Sequence, residues 1–212
     1  PYVNYVQASE SVLAVNGAIT GFDGLLKDYP RVEDGTFGEI YFDRVVQGGT
    51  SLSSHFCRIV DETLDTALRS MGSQYECNII VYPVATSDIG FYEALRVHWQ
   101  NGNKNDIVVC IGYLNNSVQW CRVMAWTDHK LFLEKLETRV RELETLEGKG
   151  ELLAATILDQ IRAPGDAGYL RKPMADYAFL ASDIRMPLWA YLILVPFAWL
   201  MSLTTVWLFI HD

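Results

Sequence analysis

What this chain has little of narrows its function before anything present is considered. It carries no cluster of Lys and Arg: 17 basic residues face 26 acidic ones, for a formal charge of -9. Phosphate backbones are bound by concentrated positive charge, so no nucleic acid is expected among its partners. It has no Cys-x-x-Cys and no His at zinc-ligand spacing, and Cys57, Cys77, Cys110 and Cys121 therefore read as buried free thiols. A phosphate loop, Gly-x-Gly-x-x-Gly, His-Glu-x-x-His and Gly-x-Ser-x-Gly are all missing. His55, His98, His129 and His211 are scattered, each reading as a helix-surface or cap residue. The acidic run "DYPRVEDGTFGEIYFD" lacks the alternating carboxylates of a calcium loop and reads as solvated. Neither a catalytic constellation nor a cofactor is expected.

One absence is informative in the other direction. From Pro187 to Ile210 there is no Asp, Glu, Lys or Arg, and such a stretch would span about 36 Å as a helix. A transmembrane helix over 187–210 is expected, with Trp189, Trp199 and Trp207 as aromatic anchors and Pro196 as a kink. Arg171, Lys172 and Arg185 precede it and no Lys or Arg follows, which places the large domain on the cytoplasmic, matrix or stromal side. The start at Pro1 reads either as a processed leader or as a truncation.

With 212 residues, half of them hydrophobic, one ordinary domain plus an appendage is affordable. "TSLSSHFCRIVDETLDTALRSM" has Thr50 or Ser51 as N-cap and an apolar stripe through Phe56, Val60, Leu64 and Leu68, so it reads as an amphipathic helix. "CNIIVYPV" is a short continuous apolar run, the mark of a central strand. A second helix, capped by Ser87 or Asp88, runs to Trp99, and strands over 107–113 and 118–126 follow, joined by a tight turn at Asn115 and Asn116. Thr127 or Asp128 caps a long helix to about Glu147, with Glu137 placed to pair with Arg141. "GELLAATILDQI" makes one more helix. The expected architecture is α/β: a three-layer α/β/α sandwich with a small mixed sheet over residues 50–163, a linker over 164–186, and the transmembrane helix. Residues 1–49 read as an extended arm with little core of its own, stable only when packed on the domain or a partner.

The hairpin carries a cysteine on each arm. A two-residue loop pairs Leu114 with Ser117 and puts Cys110 directly opposite Cys121 at a hydrogen-bonded site, where Cα atoms are about 5.5 Å apart. Two structural thiols packed side by side are expected there, not a disulfide.

"ALRVHWQNGNKNDIVVCIGYLNNSVQWCRVMAW" resembles a segment of the TPM-domain family, in which a tryptophan leads through a polar turn to Asp-Asn-Gly, a strand, a short turn and a second strand. Trp99 matches the family tryptophan, and Asn105-Asp106 stands in the place of Asn-Gly. The second strand departs from the family, keeping only Arg122 of its basic residues and putting Trp126 near the aromatic position. The resemblance covers about residues 50–130 and implies an α/β/α sandwich, often membrane-anchored. It also implies calcium binding or weak phosphatase activity, for which Asp106 and Asp128 are the loosely matching metal candidates. Two functions are expected in competition. One is a non-catalytic accessory subunit of a respiratory or photosynthetic membrane complex, its partners being other subunits and the lipid bilayer. The mitochondrial inner membrane with the domain in the matrix is preferred to a thylakoid or bacterial inner membrane. The other is a membrane-tethered, TPM-type metal-binding protein or phosphatase.

Overall fold

The computed structural model describes residues 21–34, 40–173, 193–194, 196–199 and 201–202. The chain divides into two units, Pro1–Lys172 and Pro173–Asp212. The first is α/β, with element order β1 (Val32–Asp34), β2 (Ile40–Phe42), α1 (Ser54–Tyr75), β3 (Asn78–Val84), α2 (Gly90–His98), β4 (Asp106–Leu114), β5 (Ser117–Ala125), α3 (Lys130–Arg141) and α4 (Gly150–Ile161). Strands β1 and β2 form a small antiparallel pair, while β3, β4 and β5 make a mixed sheet in that order. Strand β3 runs parallel to β4, and β4 antiparallel to β5.

Every residue of β3 is buried, as a continuous apolar run covered on both faces requires. On one face Ile79, Val81, Ile107, Val109 and Val123 pack against the apolar stripes of α1, α3 and α4. On the other, Ile80, Tyr82, Val108 and Met124 pack against Phe91 and Leu95 of α2, together with Phe22, Leu25, Tyr29 and Phe42 from the N-terminal region. Each such side chain contributes about 1.5–3 kcal/mol by leaving water. The α1 stripe is the one read from the sequence, but the helix starts later, with Ser53 as N-cap accepting from the Phe56 N–H at 3.1 Å.

The arm packs on the domain. Residues 44–48 lie parallel to β3 as a fourth strand in all but name: Val81 N–H donates to Arg44 O, Val46 N–H to Val81 O, Gly48 N–H to Pro83 O and Ala85 N–H to Gly48 O. A regular parallel ladder would add a rung from residue 83 to Val46 O, and Pro83 has no N–H to give. The ladder therefore shows as two isolated bridges, Val45 with Val81 and Gly48 with Val84.

Local expectations are corrected at two places in the chain. The helix expected to run to Glu147 stops at Arg141. Glu144 then adopts a left-handed φ of 61°, and its carbonyl accepts from the Val118 N–H at 2.7 Å. Glu137 pairs not with Arg141 but with Arg122 at 2.9 Å, its other oxygen accepting from Val123 N–H at 3.0 Å. The carboxylate thereby closes an unpaired donor on the edge strand.

The second correction concerns the hairpin. Asn115 and Asn116 both have positive φ and Leu114 faces Ser117 as expected. Tyr113 then faces Val118, but Gly112 faces Trp120, so Gln119 is extra. This bulge slips the register by one residue, which exchanges the faces of the remaining strand. Ile111 faces Cys121 and Cys110 faces Arg122. Cys121 therefore joins the α1/α3/α4 face and Cys110 the α2 face. The two cysteines are not the side-by-side pair expected; both are free and buried.

The segment after α4 belongs to the domain as far as Lys172. It makes a 3-10 turn at Gly165–Ala167 and buries Tyr169 against Phe132, with ring centroids 5.5 Å apart. Of the stretch expected to cross a membrane, Trp189 and Trp207 lie outside the described residues. Pro196 and Trp199 fall in a short helical piece, where Phe197, Trp199 and Met201 are exposed. Among the described residues no helix is long and apolar enough to cross a membrane.

The bulge yields a test. A Cβ on Gly112 would lie 2.2 Å from Trp120 Nε1, the indole being laid flat over the glycine. Gly112→Ala should cost about 1–3 kcal/mol as an overpacked core, read as a lower urea midpoint at unchanged slope.

Candidate functional site

A group of buried polar side chains lies at the end of the sheet where β3 and β4 begin. Asn78 and Asp106 open the two strands as register partners, and both side chains are buried. The Asp106 carboxylate accepts three hydrogen bonds: from Tyr29 Oη at 2.7 Å, Asn78 Nδ2 at 3.0 Å and Asn103 N–H at 2.7 Å. Asn103 reaches it because the chain turns through left-handed residues Gln100, Asn101 and Gly102 after α2. Trp99, at that turn, donates its indole N–H to Lys27 O at 2.8 Å, fixing the arm beside Tyr29.

Behind Asn78 stands Arg44, only 1% exposed. Its Nη1 donates to Asn78 Oδ1 at 2.7 Å and its Nη2 to Asp65 Oδ1 at 3.0 Å, while its backbone N–H donates to Asp61 Oδ1 at 2.8 Å. Asn78 thus relays between guanidinium and carboxylate, its carbonyl toward Arg44 and its amide toward Asp106. Burial pushes the Asp65 carboxyl up, but Arg44 and Arg69 outweigh it and hold the group below its ordinary value. For Asp106 the balance falls the other way: burial raises its carboxyl above the ordinary value, against the pull of Asn78, Asn103, Tyr29 and Arg44.

Tyr29 also lines an open cleft of about 250 Å³, together with Asp28, His98, Trp99 and Asn103. The arrangement holds a buried carboxyl group in place. All three donors to Asp106 come from the protein, so the group is built as an acceptor that fastens the arm and the α2–β4 loop to the sheet.

Of the metal candidates, Asp106 is buried as described, while Asp128 is exposed and pairs with Lys172 at 3.0 Å. Among the described residues no group of three or more His, Cys, Asp or Glu side chains could hold a metal ion. His98 faces Asp28 at 3.5 Å, and His129 bonds Gly168 O at 2.9 Å. The cysteines sit in the apolar layers, where burial raises the thiols of Cys110 and Cys121 and disfavours the reactive thiolate. Sequence reasoning missed Tyr29, Arg44, Asn78 and Asn103. The available signals were an arginine inside "FDRVV" and an asparagine opening the apolar run "NIIVYPV".

No family model matches the chain, and no curated protein or solved structure matches it.

Asp106→Asn tests the structural role. An amide offers one acceptor oxygen where the carboxylate offers two, so a buried donor among Tyr29, Asn78 and Asn103 loses its partner, costing about 1–3 kcal/mol. A carboxyl whose pKa rises on folding contributes stability that is fully present below its unfolded value of 3.8 and lost as pH rises through the folded value. Only the parent chain has this contribution. The deficit of the variant in chemical denaturation should therefore be measurable at pH 7 and wider near pH 4.

Proposed function

We propose that this chain is a non-catalytic accessory subunit of a larger membrane complex, anchored through residues 187–210 and contacting other subunits through its α/β domain. The observation that carries this reading is the run of 24 residues from Pro187 to Ile210 without an Asp, Glu, Lys or Arg. Soluble core helices rarely run so far without a charge, and a bilayer core of about 30 Å needs about 20 apolar residues. Exposed Phe197, Trp199 and Met201 in the described part of that run suit a lipid or protein environment better than water. The internal use of Asp106 and the pairing of Asp128 with Lys172 give further support, since the competing metal-dependent phosphatase reading needs those carboxylates converging on an ion.

Arg171, Lys172 and Arg185 precede the run, which suits a domain on the matrix side of the mitochondrial inner membrane, and the proposed setting is a respiratory electron-transfer assembly. A photosynthetic assembly in a thylakoid, or a bacterial inner membrane, is the alternative setting. Other subunits and the lipid bilayer are its partners.

The test is fractionation followed by native electrophoresis. The full chain should stay in the membrane pellet through alkaline carbonate, and a chain ending at residue 186 should move to the supernatant. After mild detergent the full chain should migrate with a complex much larger than 24 kDa. Release of the full chain by carbonate, or its recovery as a stable monomer, would contradict the proposal.

A further inference from the structure

Strand β5 is the last in the order β3-β4-β5. A strand in that position turns half of its backbone groups away from the sheet, where they can template pairing with another chain. Val123 faces Val109, yet its N–H donates to Glu137 Oε1 at 3.0 Å and its carbonyl accepts from Tyr92 Oη at 3.3 Å. With both groups bonded to helix side chains, Val109 and Val123 form a non-hydrogen-bonded pair, and the N–H and carbonyl of Val123 point out of the sheet. Two further groups of the strand are held from within the chain. Val118 N–H donates to Glu144 O at 2.7 Å, and Ala125 O accepts from Thr127 N–H at 3.1 Å.

Glu137 comes from α3, which packs on one face of the sheet, and Tyr92 from α2 on the other, so the two helix layers meet around Val123. The Glu137 side chain is only 13% exposed, and its second oxygen accepts from Arg122 Nη1 at 2.9 Å. A carboxylate set against a strand edge also repels the carbonyl groups of an incoming strand. The two groups that Glu137 and Tyr92 occupy are complementary to themselves. When two copies of β5 lie antiparallel about a two-fold axis at Val123, each Val123 N–H meets the Val123 carbonyl of the other copy, and the pair exchanges both hydrogen bonds.

We propose that β5 is a latent self-association edge kept shut by Glu137 and Tyr92, and that its occupant when open is β5 of a second copy of this chain. Glu137 withholds the donor of Val123 and Tyr92 its acceptor. Both contacts are internal to the first unit, so the device stands whether or not the membrane reading does.

The test is co-purification of two differently tagged full-length copies made in the same cells and extracted in mild detergent. In the double variant Glu137→Ala, Tyr92→Phe, the share of one tag recovered with the other should rise about tenfold over the parent, because the opened pair adds two interchain hydrogen bonds. Glu137→Ala alone leaves Tyr92 on a carbonyl that can accept twice. It should give a smaller rise, and it is the variant to use if the double variant does not fold. Adding Val123→Pro should return recovery to the parent level, since proline has no N–H to pair and the lost donor points away from β4. Gly112→Ala, which strains the same hairpin without touching its edge, should stay at the parent level and so separates an opened edge from a loosened fold. Unchanged recovery in the variants lacking Glu137, a rise that Gly112→Ala matches, or one that survives Val123→Pro would each overturn the proposal.

Discussion

A guanidinium taken out of water must be matched by acceptors, or its desolvation exceeds everything gained by packing around it. Arg44 meets this requirement with Asp65 on α1 and Asn78 on β3, and the arrangement of the domain follows from it. Because Asn78 gives its carbonyl to Arg44, its amide is left to face Asp106. Asp106, once buried, needs further donors and takes them from Tyr29 and Asn103. One buried cation thus joins the N-terminal region, α1, both parallel strands and the loop after α2. Loss of the Arg44 side chain would strand Asn78 Oδ1 and leave Asp65 to Arg69 alone, while the same arm carries Tyr29 and Phe42 into the apolar layer.

This dependence explains how much could be read from the sequence. The α1 stripe, the apolar β3 run, the Asn115-Asn116 turn and α4 were legible because each is set by local periodicity or turn chemistry. The arm was not, because its contribution comes from partners far along the chain, with Arg44 bonded to Asn78 and Tyr29 to Asp106. Its strand-like pairing also has no alternating signature, and Pro83 removes one of its rungs. The hairpin register failed for another reason. A bulge at Gln119 leaves no compositional mark, yet one extra residue moves Cys110 and Cys121 to opposite faces. The early end of α3 is likewise tertiary, since Glu144 O leaves the helix to meet the Val118 N–H.

The same logic bears on function. Asp106 stood as a candidate metal ligand through the resemblance to the TPM-domain family. In the fold its oxygens are taken by three protein donors. The polar end of the sheet is a fastening of the domain to the arm and to the loop after α2. A platform that presents a rigid surface to neighbouring subunits needs such fastenings, and it is the use to which the domain is put in the proposed membrane assembly.

The central claim is that the arm is an integral strand of the domain and opens only when the domain unfolds. Native-state hydrogen exchange at the Val46 and Gly48 amides, which donate to Val81 O and Pro83 O, tests it directly. The account predicts that both exchange with the same opening free energy and denaturant dependence as Val109 in the middle of β4. Exchange of the arm amides at a much lower free energy, with no denaturant dependence while Val109 remains protected, would contradict it.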